Sequence, residues 1–196
     1  MIETFAPPPN QRLYRFAHVL TVATIILTAL YGLNIRQGIL YATQRYNNIQ
    51  VGISLNYPAQ WLLDSDGNYV LRLRDMQRIG YKTTIQITLL PAGSNVSARN
   101  ILDSLNISRP LTLSTYDVQF IEPYTLPNGT QGTIMRYTFV DTETNKFLQT
   151  VPVVVIGQDI LIRRGDQALI ISFHGDANTF DQDIERFNRM LNSLEF

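Results

Sequence analysis

Hydrophobic and polar positions follow three successive patterns along this chain. The first is an unbroken apolar run, Phe16 to Ile35 (FAHVLTVATIILTALYGLNI), set between Arg15 and Arg36 and free of Asp, Glu, Lys and Arg. Twenty residues at about 1.5 Å each cover about 30 Å, the thickness of a bilayer hydrocarbon core. The run exceeds the roughly 7–15 residues of a signal-peptide hydrophobic region, and no small-x-small cleavage site follows it. It predicts an uncleaved transmembrane helix over 16–35. At 100° per residue, Ala17, Thr21, Thr24, Thr28 and Gly32 share one narrow stripe, while Val19, Val22, Ile26, Leu30 and Leu33 lie opposite. Membrane helices meet through small residues, so the stripe predicts a partner-helix interface. The plainer alternative is that Ala, Thr and Gly are common in membrane helices and that Thr bonds its own backbone.

From Val51 the period changes to two. Val51, Ile53, Leu55 and Tyr57 alternate up to Pro58, predicting a strand. Asp64 to Asn68 reads as a turn, Tyr69 to Arg74 as a strand with Arg72 and Arg74 on its polar face, and Thr83 to Leu90 as another. Ser97 to Leu105 predicts a helix with Ala98, Ile101, Leu102 and Leu105 on one face, ended by Arg109-Pro110. Strands are then expected over 118–122, 132–140, 146–156, 159–164 and 168–173. Turns are expected at Pro127-Asn128-Gly129 and Gly157-Gln158.

The third pattern closes the chain. Phe180, Ile184, Phe187, Leu191 and Leu194 line one face of an amphipathic helix, with Thr179 and Gln182 placed for a capping box. The expected fold class is α+β: a single N-terminal transmembrane helix followed by an antiparallel sheet domain with two helices. The expected boundaries are a tail over 1–15 carrying Pro7-Pro8-Pro9, the membrane helix over 16–35, a stalk over 36–49, and the domain over 50–196. The stalk is expected to continue the helix or act as a spacer.

Charge changes this picture little. The net charge is zero, with +3 through Asn47 (four Arg against Glu3) and −3 beyond it (twelve basic against fifteen acidic residues). That mild acidity argues against nucleic acid as a partner. Arg12 and Arg15 face Arg36 and Arg45 across the apolar run, so the positive-inside rule is nearly balanced. The short tail favours a signal-anchor topology, a cell-membrane protein with the domain on the extracytoplasmic, periplasmic side.

Candidate chemistry is sparse. With no cysteine there is no disulfide, thiolate nucleophile or iron–sulfur site. His18, one turn inside the apolar run, is open to a quinone, pigment or haem contact, or more plainly to a hydrogen bond with a neighbouring helix or headgroup. His174 is expected in a turn. Asp64, Asp66 and Asn68 form a truncated calcium-loop pattern that reads better as a turn, and Asp141, Glu143 and Asn145 read as a hairpin tip. Asn95, Asn106 and Asn128 head Asn-x-Ser/Thr triplets, which matter only in a eukaryotic secretory setting. No catalytic, metal-binding or cofactor residues are assigned, and no enzyme is evident.

A strand ending in YPAQW (Tyr57 to Trp61), long hairpins, a helix after the third strand and the closing RFNRMLNSLEF together resemble the PsbP-like family over roughly residues 50–196. That family includes the extrinsic protein of photosystem II and bacterial relatives, and a Ran-binding nuclear import factor shares its fold. The resemblance implies a non-catalytic accessory subunit of a membrane complex, such as a respiratory or photosynthetic electron-transfer assembly, an alternative quinol-oxidising complex of phototrophic bacteria among them. Its helix would meet other integral membrane subunits and lipid, and its domain would meet extrinsic subunits. The sequence departs from bacterial relatives that are lipoproteins, since it lacks the cysteine to be acylated. An independent anchored module that binds a small ligand, metal or transient partner is the alternative.

Overall fold

The computed structural model describes residues 11–78, 80–93, 96–142 and 151–196. The proline tail, Asn95, Glu143, Asn145 and the first part of the strand expected from residue 146 lie outside these residues. The chain divides into two units, residues 1–42 and 43–196.

The first unit is one helix, α1 (Gln11–Leu40). It extends the expected 16–35 span at both ends, because Tyr14, Arg15, Arg36 and Gln37 do nothing to break a helix. Tyr14–Ile39, 26 residues of mean hydropathy 1.9, is long and apolar enough to cross a membrane and is exposed throughout.

The second unit contains strands β1 (Thr43–Asn48), β2 (Ile53–Pro58), β3 (Leu62–Asp64), β4 (Leu71–Arg74), β5 (Thr84–Pro91), β6 (Ser114–Thr125), β7 (Gln131–Asp141), β8 (Val153–Arg164) and β9 (Gln167–Asp176). Its helices are α2 (Ala98–Ser108), followed by a 3-10 turn (Arg109–Leu111), and α3 (Phe180–Asn192). β1 and β2 form an antiparallel hairpin, and the other strands form an antiparallel sheet in the order β3-β4-β5-β9-β8-β7-β6.

Three expectations need correction here. The stalk over 36–49 is not a spacer: after α1 ends, residues 43–48 pair with β2, from Thr43↔Pro58 to Asn48↔Ile53. Tyr57 Oη donates to Gln44 across this pair at 2.8 Å, and Arg45 meets Glu195 at 3.0 Å. The residues TQRYNN lack apolar alternation, so their strand character comes from pairing alone. The turn at Gly157-Gln158 does not exist, since β8 runs unbroken from Val153 to Arg164 and turns at Gly165, where φ is +59°. Gly157 instead makes room for a neighbour: a Cβ there would lie 2.2 Å from the Tyr137 ring. The capping box also fails to form. The Thr179 hydroxyl donates to the buried Asp183 carboxylate at 3.1 Å rather than accepting from the helix.

The sheet has apolar layers on both faces. On one, Leu71, Leu73, Ile85, Ile87, Ile160, Ile171 and Phe173 pack with β2 and with Phe187, Met190 and Leu191 of α3. On the other, Met135, Tyr137, Phe139, Leu161 and Ile170 pack under Leu102 of α2. Ser97 starts α2 by accepting from the Asn100 amide at 3.1 Å. α3 is tied to the β4–β5 loop through Asp183, which is fully buried, pairs with Arg78 and accepts from Thr83 at 2.9 Å.

Candidate functional site

Successive residues of a strand point to opposite faces, so register places the polar side chains of the main sheet. One row across five strands is Arg74, Thr84, His174, Gly157 and Tyr137, and the next is Arg72, Gln86, Ser172, Asp159 and Met135. These rows share the α2 face, because their neighbours in sequence (Leu71, Leu73, Ile85, Phe173, Ile160) belong to the core under α3. The face therefore carries a polar band through the middle of the sheet, bounded by apolar residues at the α2 end.

The β7–β8 half of the band is a linked network, although Arg109 Nη1 and Tyr116 Oη are enclosed in it without a hydrogen-bond partner among the described residues. Asp159 is fully buried and pairs with Arg109 of the 3-10 turn at 2.5 Å. Tyr137 Oη lies 3.3 Å from Asp159 and 2.7 Å from His174 Nε2. The Arg109 guanidinium stacks over the Tyr137 ring at 4.3 Å, and Phe139 meets His174 edge-on at 5.6 Å. Burial pushes the Tyr137 hydroxyl well above its ordinary pKa, with the Asp159 charge adding to the effect. Burial lowers His174 to about 4, opposed by Asp159 and reinforced by Arg109. His174 is thus a half-buried, neutral strand residue and not the expected turn residue; β9 continues to Asp176.

The β4–β5–β9 half is less closed. Arg72 donates to Asp64 at 2.8 Å and stacks over Tyr69 at 4.6 Å. Asp64 also accepts from Tyr69 Oη at 2.7 Å and from the Asp66 amide at 3.0 Å. The hydrogen bonds from Tyr69, the Asp66 amide and Arg72 hold its carboxyl well below the usual carboxylate range. The calcium-loop fragment is therefore a turn whose carboxylate serves a tyrosine and an arginine. Arg74, one row over, has no ion-pair or hydrogen-bond partner for its guanidinium among the described residues, and its Nε is enclosed.

The sequence signals for this band are visible but open to another reading. Gln158-Asp159 interrupts the apolar run VVVIGQDILI, which resembles a turn and is in fact a strand whose Asp159 meets Arg109 on this face while Gln158, on the other face, accepts from Arg136. Arg72 and Arg74 do lie on a polar face, as their alternation implies. Arg109 does more than mark a helix end, since it supplies the cation of the network.

The helix stripe is placed as follows. Ala17, Thr21, Thr24, Thr28 and Gly32 all lie on α1 and are exposed. Thr21 donates to the Ala17 carbonyl at 2.9 Å and Thr24 to the Leu20 carbonyl at 2.8 Å, and Thr28 bonds the Thr24 carbonyl. These hydroxyls are satisfied within the helix, and the space over Gly32 is open. His18 is exposed beside Tyr14, with ring centres 6.2 Å apart. Among the described residues no group of three or more His, Cys, Asp or Glu is arranged to hold a metal ion.

No protein-family model and no curated protein matches this sequence. Solved structures do. Cyanobacterial PsbP from Synechocystis is similar with a TM-score of 0.55 at 11% identity, covering 79% of this chain and 92% of that one. The Ran-binding protein Mog1p of Saccharomyces cerevisiae is similar at 0.50 and 11% identity, over 79% of this chain and 95% of its own. A protein of unknown function from Pseudomonas aeruginosa gives 0.50 at 8% identity, over 76% and 94%. At such identities the likeness is one of fold, and the chain joins an apolar N-terminal helix to a domain with the PsbP-like α+β fold.

Proposed function

We propose that the protein is a membrane-anchored, non-catalytic accessory subunit of a multi-subunit membrane complex. The observation that carries this reading is α1: the span Tyr14–Ile39, 26 residues of mean hydropathy 1.9, is exposed along its whole length. In water such a helix would leave its entire apolar surface uncovered, so it needs lipid, a partner helix or both. Tyr14 and Tyr41 stand about 40 Å apart along the chain at helical rise, where interfacial tyrosines sit. The stripe Ala17, Thr21, Thr24, Thr28 and Gly32 offers a small-residue face to another integral subunit. Because its threonines bond their own backbone, close packing rather than interhelical hydrogen bonding would hold that contact. The PsbP-like domain then serves extrinsic subunits, and a respiratory or photosynthetic electron-transfer assembly is the class this reading favours.

Thr24→Leu with Thr28→Leu keeps the segment hydrophobic while adding bulk on the stripe. Losing a tight contact this way costs about 1–3 kcal/mol, so the variant should reach the membrane yet co-purify poorly in mild detergent, read by native gel and mass spectrometry. Val22→Leu with Ile26→Leu, on the opposite face, should behave as wild type. Equal recovery of partners by both double variants would leave α1 a tether only.

A further inference from the structure

We propose that the β4–β5–β9 half of the polar band binds a small oxyanion, the phosphate or carboxylate group of a soluble ligand, through Arg74 and Ser172. Three features of this half-face point the same way. Its two arginines are unequal: Arg72 is neutralised by Asp64 at 2.8 Å, whereas Arg74 has no carboxylate within ion-pair range among the described residues. The Nε atoms of Arg72 and Arg74 are both shut away from solvent with nothing to donate to among the described residues, a state that costs about 1–3 kcal/mol when left unmet; what sets Arg74 apart is that its charge has no carboxylate as well. Ser172 is more than nine-tenths buried, at 8% exposure, and among the described residues its hydroxyl has no hydrogen-bond partner.

Register brings these groups onto one floor. Arg74 opposes Thr84, which opposes His174; one row away, Arg72 opposes Gln86, which opposes Ser172. With neighbouring strands about 4.8 Å apart and residues about 3.4 Å apart along a strand, Arg74 is about 10 Å from His174 and about 12 Å from Ser172 at the backbone, within reach of an arginine side chain and a ligand between them. Thr84 is occupied, donating to the Lys82 carbonyl at 2.8 Å, and Gln86 donates to Thr88 at 3.2 Å. The unmet groups are therefore a donor-only guanidinium and a hydroxyl able to donate, and a cation with spare donors favours an anion.

Charge agrees with this. Arg109 is matched by Asp159 and Arg72 by Asp64, and His174 is neutral, so the band carries one uncompensated positive charge, on Arg74. All residues of this site belong to the second unit and none to α1, so its failure and the failure of the accessory-subunit reading are separately visible.

The test uses the full chain in detergent micelles, titrated by calorimetry with inorganic phosphate, and in a parallel arm with acetate, at constant ionic strength in chloride. Saturable one-site binding in either arm is expected, and the stronger arm identifies the phosphoryl or carboxylate class. Arg74→Gln should weaken it at least tenfold and Ser172→Ala several-fold, while Arg99→Gln, on the exposed face of α2, should leave it unchanged. If Arg74→Gln does not fold, Ser172→Ala, which removes one atom, decides the matter. Absence of saturable heat in both arms, or unchanged affinity in the variants that fold, overturns the proposal.

Discussion

At the residue scale, His174 shows how burial turns an ordinary side chain into a pH-dependent one. Tyr137, Asp159, Arg109 and Phe139 surround it, and desolvation holds its pKa at about 4 against about 6.5 in an unfolded chain. The lowered value means the unfolded chain takes up the proton first. His174 therefore contributes its full stability above about pH 6.5, and that contribution is lost as pH falls toward about 4. The loss should reach about 2 to 3 kcal/mol, since each tenfold drop in proton affinity is worth about 1.4 kcal/mol and the ring is only half-buried. Urea unfolding at pH 7 and pH 4.5 should show the drop in the wild type, and His174→Gln should flatten it by that amount. An unchanged pH slope in the variant would assign the drop to carboxylates elsewhere.

At the element scale, α3 is positioned by more than its apolar face. Asp183 is buried on its first turn, bonded to Arg78, Thr83 and Thr179, and Asp75 adds Arg186 at 3.1 Å. A buried carboxylate is tolerated only when its partners are complete, and neutralising Asp183 leaves Arg78 with only the longer 3.8 Å contact to Asp75. Asp183→Asn should destabilise the domain by about 2 to 3 kcal/mol, below the range for a fully enclosed pair because the Arg78 side chain is 26% exposed. Asp103→Asn, which breaks the exposed Arg99–Asp103 pair on α2, should cost less than about 0.5 kcal/mol. Denaturant midpoints at neutral pH compare the two directly, and equal effects would mean that α3 is held by Phe187, Met190 and Leu191 alone.

At the scale of the whole molecule, the chain divides between Ala42 and Thr43 into two units of opposite surface character. The domain buries its own core, while α1 exposes its apolar side chains end to end. If α1 is a signal anchor with Arg12 and Arg15 on the cytoplasmic side, protease added to intact spheroplasts should remove the domain and leave a small membrane fragment. Complete protection until lysis would reverse that orientation, and the near balance of Arg12 and Arg15 against Arg36 and Arg45 makes this a sharp measurement.

What the sequence determines by itself follows from periodicity. Lipid solubility depends on the sum of side-chain hydrophobicity over about 20 residues, so the apolar stretch within α1 is evident from composition alone. Alternation in VGISLNY and TTIQITLL, and the 3.6-residue repeat in α2 and α3, report which face each element buries. Tertiary structure decided the rest, because those features depend on contacts between residues far apart in the chain. TQRYNN is a strand only because β2 lies beside it, and Gly157 sits in a strand only because the Tyr137 ring fills the space a Cβ would take. His174 lies in a strand and not a turn for the same reason: Tyr137, 37 residues away, supplies its hydrogen bond. The polar band is the clearest case, since Arg72 and Arg74 read as the polar face of one strand while Gly157-Gln158 and His174 read as turns. Only the strand order β4-β5-β9-β8-β7 and its register set Arg74, Ser172, His174 and Asp159 on one face of the sheet.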